Sequence, residues 1–132
     1  MILLSAIPDA PWLPPLGRAE VYLAEHGDRA PEPVSIVRLL VASPHGAIFC
    51  VPRSGGRPGL DLPAAIVADD EPLSAALNRL LHTVFGTTAP IRALGHIRNT
   101  VPLDSTYEWP TPIAHFTVHQ AMTTLEPVLD GT

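Results

Sequence analysis

The sequence predicts an α+β domain built on a mixed β-sheet. Segments rich in β-branched and aliphatic residues come first, one segment with helical periodicity follows, and further strand-like segments come after it. Strands, one helix and again strands, in that order, argue for this fold class. The 132 residues, 46% apolar and 16% charged, suit one compact globular domain.

The first half of the chain contains the less regular segments. Residues 1–18 are punctuated by prolines and predict an irregular N-terminal arm, so that 19–132 form the single domain. The stretch 19–26 fits a short strand or a helical turn, and the pattern does not decide between them. Three further segments read as strands, the first two forming a hairpin across the turn 43–46: 34–42, 47–53, and 60–67, which Pro63 interrupts.

One amphipathic helix is predicted over about 71–85. Its apolar residues recur at helical spacing: Leu73, Ala76, Leu77, Leu80, Leu81, Val84 and Phe85. Pro72 suits the first turn, acidic side chains precede it, and Gly86 supplies a left-handed stop. One or two strands over 89–101, a loop over 102–112 and a strand over 113–121 complete the order of elements.

Composition excludes several classes of protein. The formal net charge is −5 and all eight basic residues are arginine, so no basic patch for nucleic acid is expected and no catalytic lysine exists. No apolar run is long enough to span a bilayer, and the proline-broken N-terminus is not a signal peptide. Cys50 is the only cysteine, which rules out an internal disulfide and fits a cytoplasmic protein. Arginine-only basic residues with many prolines and alanines suggest a GC-rich bacterial genome.

The run from residue 38 to 98 resembles a Nudix domain. That family's box reads G-x5-E-x7-R-E-U-x-E-E-x-G-U, where U is aliphatic, and it follows a hairpin. The positions that match are Glu71, Arg79, Leu81 and Gly86. The positions where a glutamate of the box is replaced are Leu80, Thr83 and Val84.

This resemblance implies a Nudix-like α/β/α sandwich around a mixed sheet. It also implies an enzyme that uses Mg²⁺ or Mn²⁺ to split diphosphates, because the box glutamates hold the metal in that family. Leu80 and Val84 offer no ligand atom, and a Thr83 hydroxyl is a poor substitute for a carboxylate. We therefore expect no cofactor, and expect this helix face to pack against the loop 102–112, the N-terminal arm or a second subunit.

Acidic residues before the helix are the alternative metal ligands. Asp69, Asp70 and Glu71 either rebuild a metal site or place charge at the helix N-terminus. Glu71 and Arg79, which match the box, are the candidate catalytic residues.

Two loops offer candidate ligand-binding residues. Arg53 and Arg57, in a glycine-rich loop, could hold a phosphate, or the loop is a hairpin connection. Tyr107 and Trp109 either stack on a ring or plug their loop onto the apolar helix face. His115 and His119 share a strand face but lie about 13 Å apart, too far for one ion, and Cys50 is expected to be a small core residue.

Two functional hypotheses follow. The first is a Nudix-fold protein, non-catalytic or weakly active, that binds a nucleotide-like small molecule or a protein partner. The second is an active hydrolase of nucleoside diphosphate derivatives with a metal site rebuilt from Asp69, Asp70, Glu71 and Glu108. A homodimerisation module is a third class that the apolar helix face allows.

Overall fold

The computed structural model describes residues 1–103 and 106–132, so Asp104 and Ser105 of the loop expected at 102–112 lie outside the described residues. The described part contains one α-helix, α1 (Leu73–Phe85), and a short 3-10 helix at Ser54–Gly56. Its strands are β1 (Ile2–Ile7), β2 (Arg18–Leu23), β3 (Val34–Leu40), β4 (Val51–Pro52), β5 (Leu60–Asp61), β6 (Ala64–Ile66), β7 (Ile91–Thr100) and β8 (Ile113–Ala121). No helix within this part is both long and apolar enough to cross a membrane.

Six strands belong to a sheet in the order β1-β2-β7-β8-β3-β6, and β4 pairs with β5 in a separate two-stranded ladder. This mixed sheet with one helix confirms the predicted α+β class. β2 runs antiparallel to both of its neighbours, with Ala6 opposite Glu20 on one side and Arg98 opposite Glu20 on the other. The prediction of an irregular arm is wrong over Ile2–Ile7, because these residues, which precede the first proline, pair with β2.

The predicted helix is confirmed within two residues at its start. Gly86 adopts the left-handed conformation (φ 74°) and donates its N–H to the carbonyl oxygen of His82 at 2.8 Å, which ends the helix as expected. The N-terminus differs from the prediction. Pro72 is the extended residue before the first turn, no acidic residue lies in that turn, and no side chain caps it.

The chain divides into two compact units, the first formed by Met1–Ile36 and Leu94–Thr117. This first unit holds β1, β2 and the larger parts of β7 and β8. The undecided segment 19–26 is a strand over Arg18–Leu23, and 89–101 forms one long strand rather than two. Ala19, Ala114 and Phe116 are among its buried apolar residues.

The second unit is formed by Val37–Ala93 and Val118–Thr132. It holds α1, β6 and the greater part of β3, and its interior contains Val37 and Leu39, both fully buried. The N–H of Leu39 in β3 donates to the carbonyl oxygen of Pro63 at 2.9 Å. The segment 60–67 therefore bonds to β3 at the proline that interrupts it. The expected returning strand over 47–53 is shorter than predicted, being an isolated bridge at Ile48 and the two residues of β4.

Candidate functional site

The helix face that was predicted to be apolar is divided between a buried part and an exposed edge. Leu80 and Val84 are 2% and 0% exposed, whereas Thr83 is exposed. The Thr83 hydroxyl donates to the carbonyl oxygen of Arg79 at 3.1 Å, a bond within its own helix. The side chains of Leu80 and Val84 are therefore part of the core, as expected.

The C-terminal tail, residues 122–132, binds the end of α1 through its backbone. The Val128 N–H donates to the carbonyl oxygen of Val84 at 2.7 Å, and Met122 donates to Pro90 at 2.8 Å. Further along, Thr132 donates to the carbonyl oxygen of Cys50 at 2.9 Å. This contact with the helix end was not predicted, because the few apolar residues of the tail show no periodicity.

Glu71 and Arg79 form an ion pair between the loop before α1 and the helix itself. The Arg79 Nη2 donates to Glu71 Oε1 at 2.9 Å and to the carbonyl oxygen of Ile66 at 2.9 Å. Glu71 also accepts the N–H of Ala68 at 2.9 Å. The hydrogen bond from Ala68 and then that from Arg79 lower the pKa of the Glu71 carboxyl, which stays ionised and fully engaged in holding this turn.

The neighbouring carboxylates do not join Glu71 in a metal site. Asp69 and Asp70 are exposed, and Asp70 lies at φ 62° in a turn. Among residues 1–103 and 106–132, no three histidine, cysteine, aspartate or glutamate side chains come close enough together to hold a metal ion.

The two candidate arginines lie on an exposed loop. Arg53 and Arg57 flank the 3-10 helix at Ser54–Gly56, and the Arg53 N–H closes the loop by donating to Gly59 at 3.1 Å. Both side chains are exposed, so their guanidinium groups are accessible to an anion. The role of this loop in binding phosphate stays a prediction.

The two candidate aromatic residues contact strands of the first unit. Tyr107 accepts a hydrogen bond from Asn99 Nδ2 at 3.0 Å, and Trp109 packs edge-on to Phe116 with ring centroids 5.9 Å apart. Burial raises the pKa of the Tyr107 hydroxyl. These contacts hold Tyr107 and Trp109 to β7 and β8. Stacking on a bound ring and packing on the helix face, the two roles expected from the sequence, stay predictions.

A cavity of about 930 Å³ lies in the second unit beneath the tail. Its apolar lining comes mainly from the turn after β3 and from the tail: Val41, Ile48, Phe49, Met122 and Leu125. Gln120, Thr123 and Thr124 add polar groups, and Glu126 is the only charged residue of the lining. The absence of arginine from this lining makes it suited to an uncharged group and unsuited to a free diphosphate.

A row of buried polar side chains crosses β2, β7 and β8 in the first unit. This row was not predicted from the sequence. Glu20 accepts two hydrogen bonds from Arg98, at 3.1 and 2.9 Å, and one from the Tyr22 hydroxyl at 3.0 Å. Burial alone would raise the pKa of Glu20, but the bonds from Arg98 and Tyr22 outweigh it and lower that pKa. The three groups thus form one satisfied ionic network.

Two histidines continue this row. His96 stacks on Tyr22 with ring centroids 5.0 Å apart and meets the edge of His115 at 5.6 Å. His115 Nδ1 lies 2.9 Å from the carbonyl oxygen of Pro33, which makes that nitrogen the donor. Burial is the main cause that lowers the pKa of both imidazoles. The only sequence signal for this row is the alternation of polar residues along β2 and β7, which also fits a solvent-exposed face.

Comparison with known proteins supports the fold alone. No protein-family profile and no curated protein sequence matches the chain. Among solved structures, the chain is similar to a variant of the Bacillus subtilis pyrophosphohydrolase BsRppH, with a TM-score of 0.56 over 95% of this chain and 74% of that one. The identity over this match is 9%, so the likeness shows the fold alone and not the activity.

Proposed function

We propose that this protein is a non-catalytic Nudix-fold binding protein whose ligand is nucleotide-like. One observation carries the proposal. The helix face that holds metal in catalytic members of the fold is here occupied by Leu80 and Val84, which are 2% and 0% exposed. A buried aliphatic side chain offers no ligand to a hard cation, which needs clustered oxygen atoms.

The contacts of Glu71 argue against a catalytic role for the residues that remain of the box. The Glu71 carboxylate accepts hydrogen bonds from Arg79 and from the N–H of Ala68, so it stabilises the turn before α1.

The cavity beneath the tail supports binding of an uncharged ring. Its apolar walls would cover a base or sugar, and the amide of Gln120 together with threonine hydroxyls would fix its orientation. The exposed guanidinium groups of Arg53 and Arg57 belong to the same unit and are the proposed partners of the phosphates. The bound molecule would thus be recognised by its ring first and by its charge second.

Calorimetric titration with ADP, GDP, adenosine and guanosine, with magnesium and with EDTA, tests this function. At least one of them is expected to bind with equal affinity in both buffers and without release of phosphate. Ile48→Asp, which places a carboxylate in the cavity lining, should weaken binding. Ile66→Asp, on an exposed side chain outside the lining, is the matched control and should leave binding unchanged.

Two results would contradict the proposal. Failure of all four compounds to bind would remove the nucleotide-like ligand. Magnesium-dependent release of phosphate that disappears in Glu71→Gln would instead establish the active hydrolase with a rebuilt metal site.

A further inference from the structure

The strand β1 has an open outer edge. It is an end strand of the six-stranded sheet and pairs with β2 along its other side. No further strand of the described residues pairs with its outer edge. Its backbone N–H and C=O groups along that side are therefore available to another strand.

The side chains of β1 lack the features that normally prevent such an edge from pairing with another strand. Five of the six residues in Ile2–Ile7 are apolar and none is charged. Natural edge strands are usually short, charged or interrupted by proline. The opposite edge of the same sheet follows that rule, because β6 has three residues and is preceded by Pro63. The one protective feature of β1 is an irregularity in its register between Leu3 and Ser5.

These apolar side chains are exposed and continuous with others. Ile2, Leu3, Leu4 and Ile7 are 45%, 49%, 59% and 40% exposed, and we call them, together with Leu23 opposite Ile2, the edge patch. Successive side chains of a strand point to opposite faces, so the patch wraps both faces of the sheet edge. Trp12 and Leu16, exposed by 61% and 78%, lie on the connection from β1 to β2.

We propose that β1 pairs antiparallel with β1 of a second copy of this chain, forming a symmetric dimer. The partner of this edge must supply a free strand edge that is apolar on both faces. Among the described strands of the chain, β1 itself meets that requirement. A two-fold arrangement uses the same surface on both copies and closes both open edges at once, which pairing with an unrelated peptide does not.

Charge and area agree with a second copy. The acidic groups beside the start of β1, Glu25 and Asp28, are paired with the Met1 ammonium group at 2.9 and 2.8 Å, so they add little repulsion between copies. A stable interface covers about 800 Å² of each partner. A six-residue edge together with the edge patch, Trp12 and Leu16 is of that order.

Sedimentation velocity over concentrations from low micromolar to millimolar tests the dimer. The wild-type chain should sediment as a dimer with a dissociation constant in about the micromolar range. Leu4→Lys should weaken association by about tenfold or more, because it places a charge in the centre of the pairing. Leu60→Lys is the matched control, since Leu60 is 58% exposed and lies outside the edge patch.

Hydrogen exchange assigns the interface independently of any variant. The amides of Ile2–Ile7 should exchange more slowly as the concentration rises, and those of α1 should not change with concentration. At a concentration below the dissociation constant, where both chains are monomeric, Leu4→Lys should unfold at the wild-type temperature because Leu4 is exposed. That result would show that the variant loses the dimer and keeps the fold. A monomeric wild-type chain at millimolar concentration, or a dimer with unchanged exchange in β1, would overturn the proposal.

Discussion

The carbonyl oxygen of Val84 accepts a hydrogen bond from the Val128 N–H at 2.7 Å. This bond joins the last turn of α1 to a tail whose own conformation is irregular, and Val84 beside it is fully buried. A helix carbonyl near the C-terminus lacks an intrahelical partner and must be satisfied from elsewhere. The tail supplies that partner through Val128.

Restoring glutamates to the helix face should therefore damage the fold. Leu80→Glu and Val84→Glu each place a carboxylate in a fully packed position and should cost more than about 3 kcal/mol of unfolding free energy. Thr83→Glu, on the exposed edge, should stay within about 0.5 kcal/mol of the wild type. Urea unfolding of the three single variants beside the parent gives the comparison. Unchanged midpoints for Leu80→Glu and Val84→Glu would mean that the face is open to solvent.

Divalent metal should not bind tightly. We expect no magnesium or manganese site tighter than roughly millimolar, because the remaining carboxylates are scattered or engaged. Water-proton relaxation with manganese measures this directly. Glu71→Gln should destabilise the turn before α1 without changing the relaxation, whereas a micromolar site that is lost in this variant would promote the hydrolase hypothesis.

Stability should fall as the solution becomes mildly acidic. Burial lowers the pKa of His96 and His115 in the folded state, and the positive charge of a neighbouring histidine adds to the effect at His96. The unfolded chain, with ordinary histidine pKa values of about 6.5, then binds more protons than the folded chain. The stabilisation is complete above that pH and is lost as the pH falls toward the lowered values.

Unfolding in urea between pH 8 and pH 5 measures this loss. His115→Gln should flatten the pH dependence, because it removes one titrating ring. Its amide can still donate to Pro33. His82→Gln, on the exposed side of α1, is the control for replacing a histidine outside this row. A wild-type free energy that is constant over this range would contradict the prediction.

Gly95 is required by the close approach of β7 to β2. A Cβ added there would collide with the carbonyl oxygen of Tyr22 and would lie 3.3 Å from the Cα of Leu23, and neither backbone atom can move without breaking the ladder. Gly95→Ala should cost more than about 3 kcal/mol or prevent folding. Gly46→Ala is the control, since nothing lies within 4 Å and only its φ of 83° opposes the change, at about 1 kcal/mol. Thermal unfolding measures the stability that each variant loses. Equal losses for the two variants would show that β7 and β2 can separate.

The sequence by itself determined the features that depend on neighbouring residues. The apolar spacing of α1 and its stop at Gly86 are local, because a helix closes its hydrogen bonds within four residues and a left-handed residue ends it. The alternation in β3 and β8 is local for the same kind of reason. The apolar character of Leu80 and Val84 could also be read without any structure.

Only the tertiary structure decided what lies against those elements. The bond from Val128 to Val84 joins positions 44 residues apart, and those from Arg98 to Glu20 and from His115 to Pro33 join positions 78 and 82 residues apart. The same applies to β1, whose proline-rich surroundings suggested an irregular arm until β2 supplied its hydrogen bonds. A polar side chain in an alternating strand reads the same whether it faces water or a buried partner, because the pattern along one strand carries no information about the strand beside it.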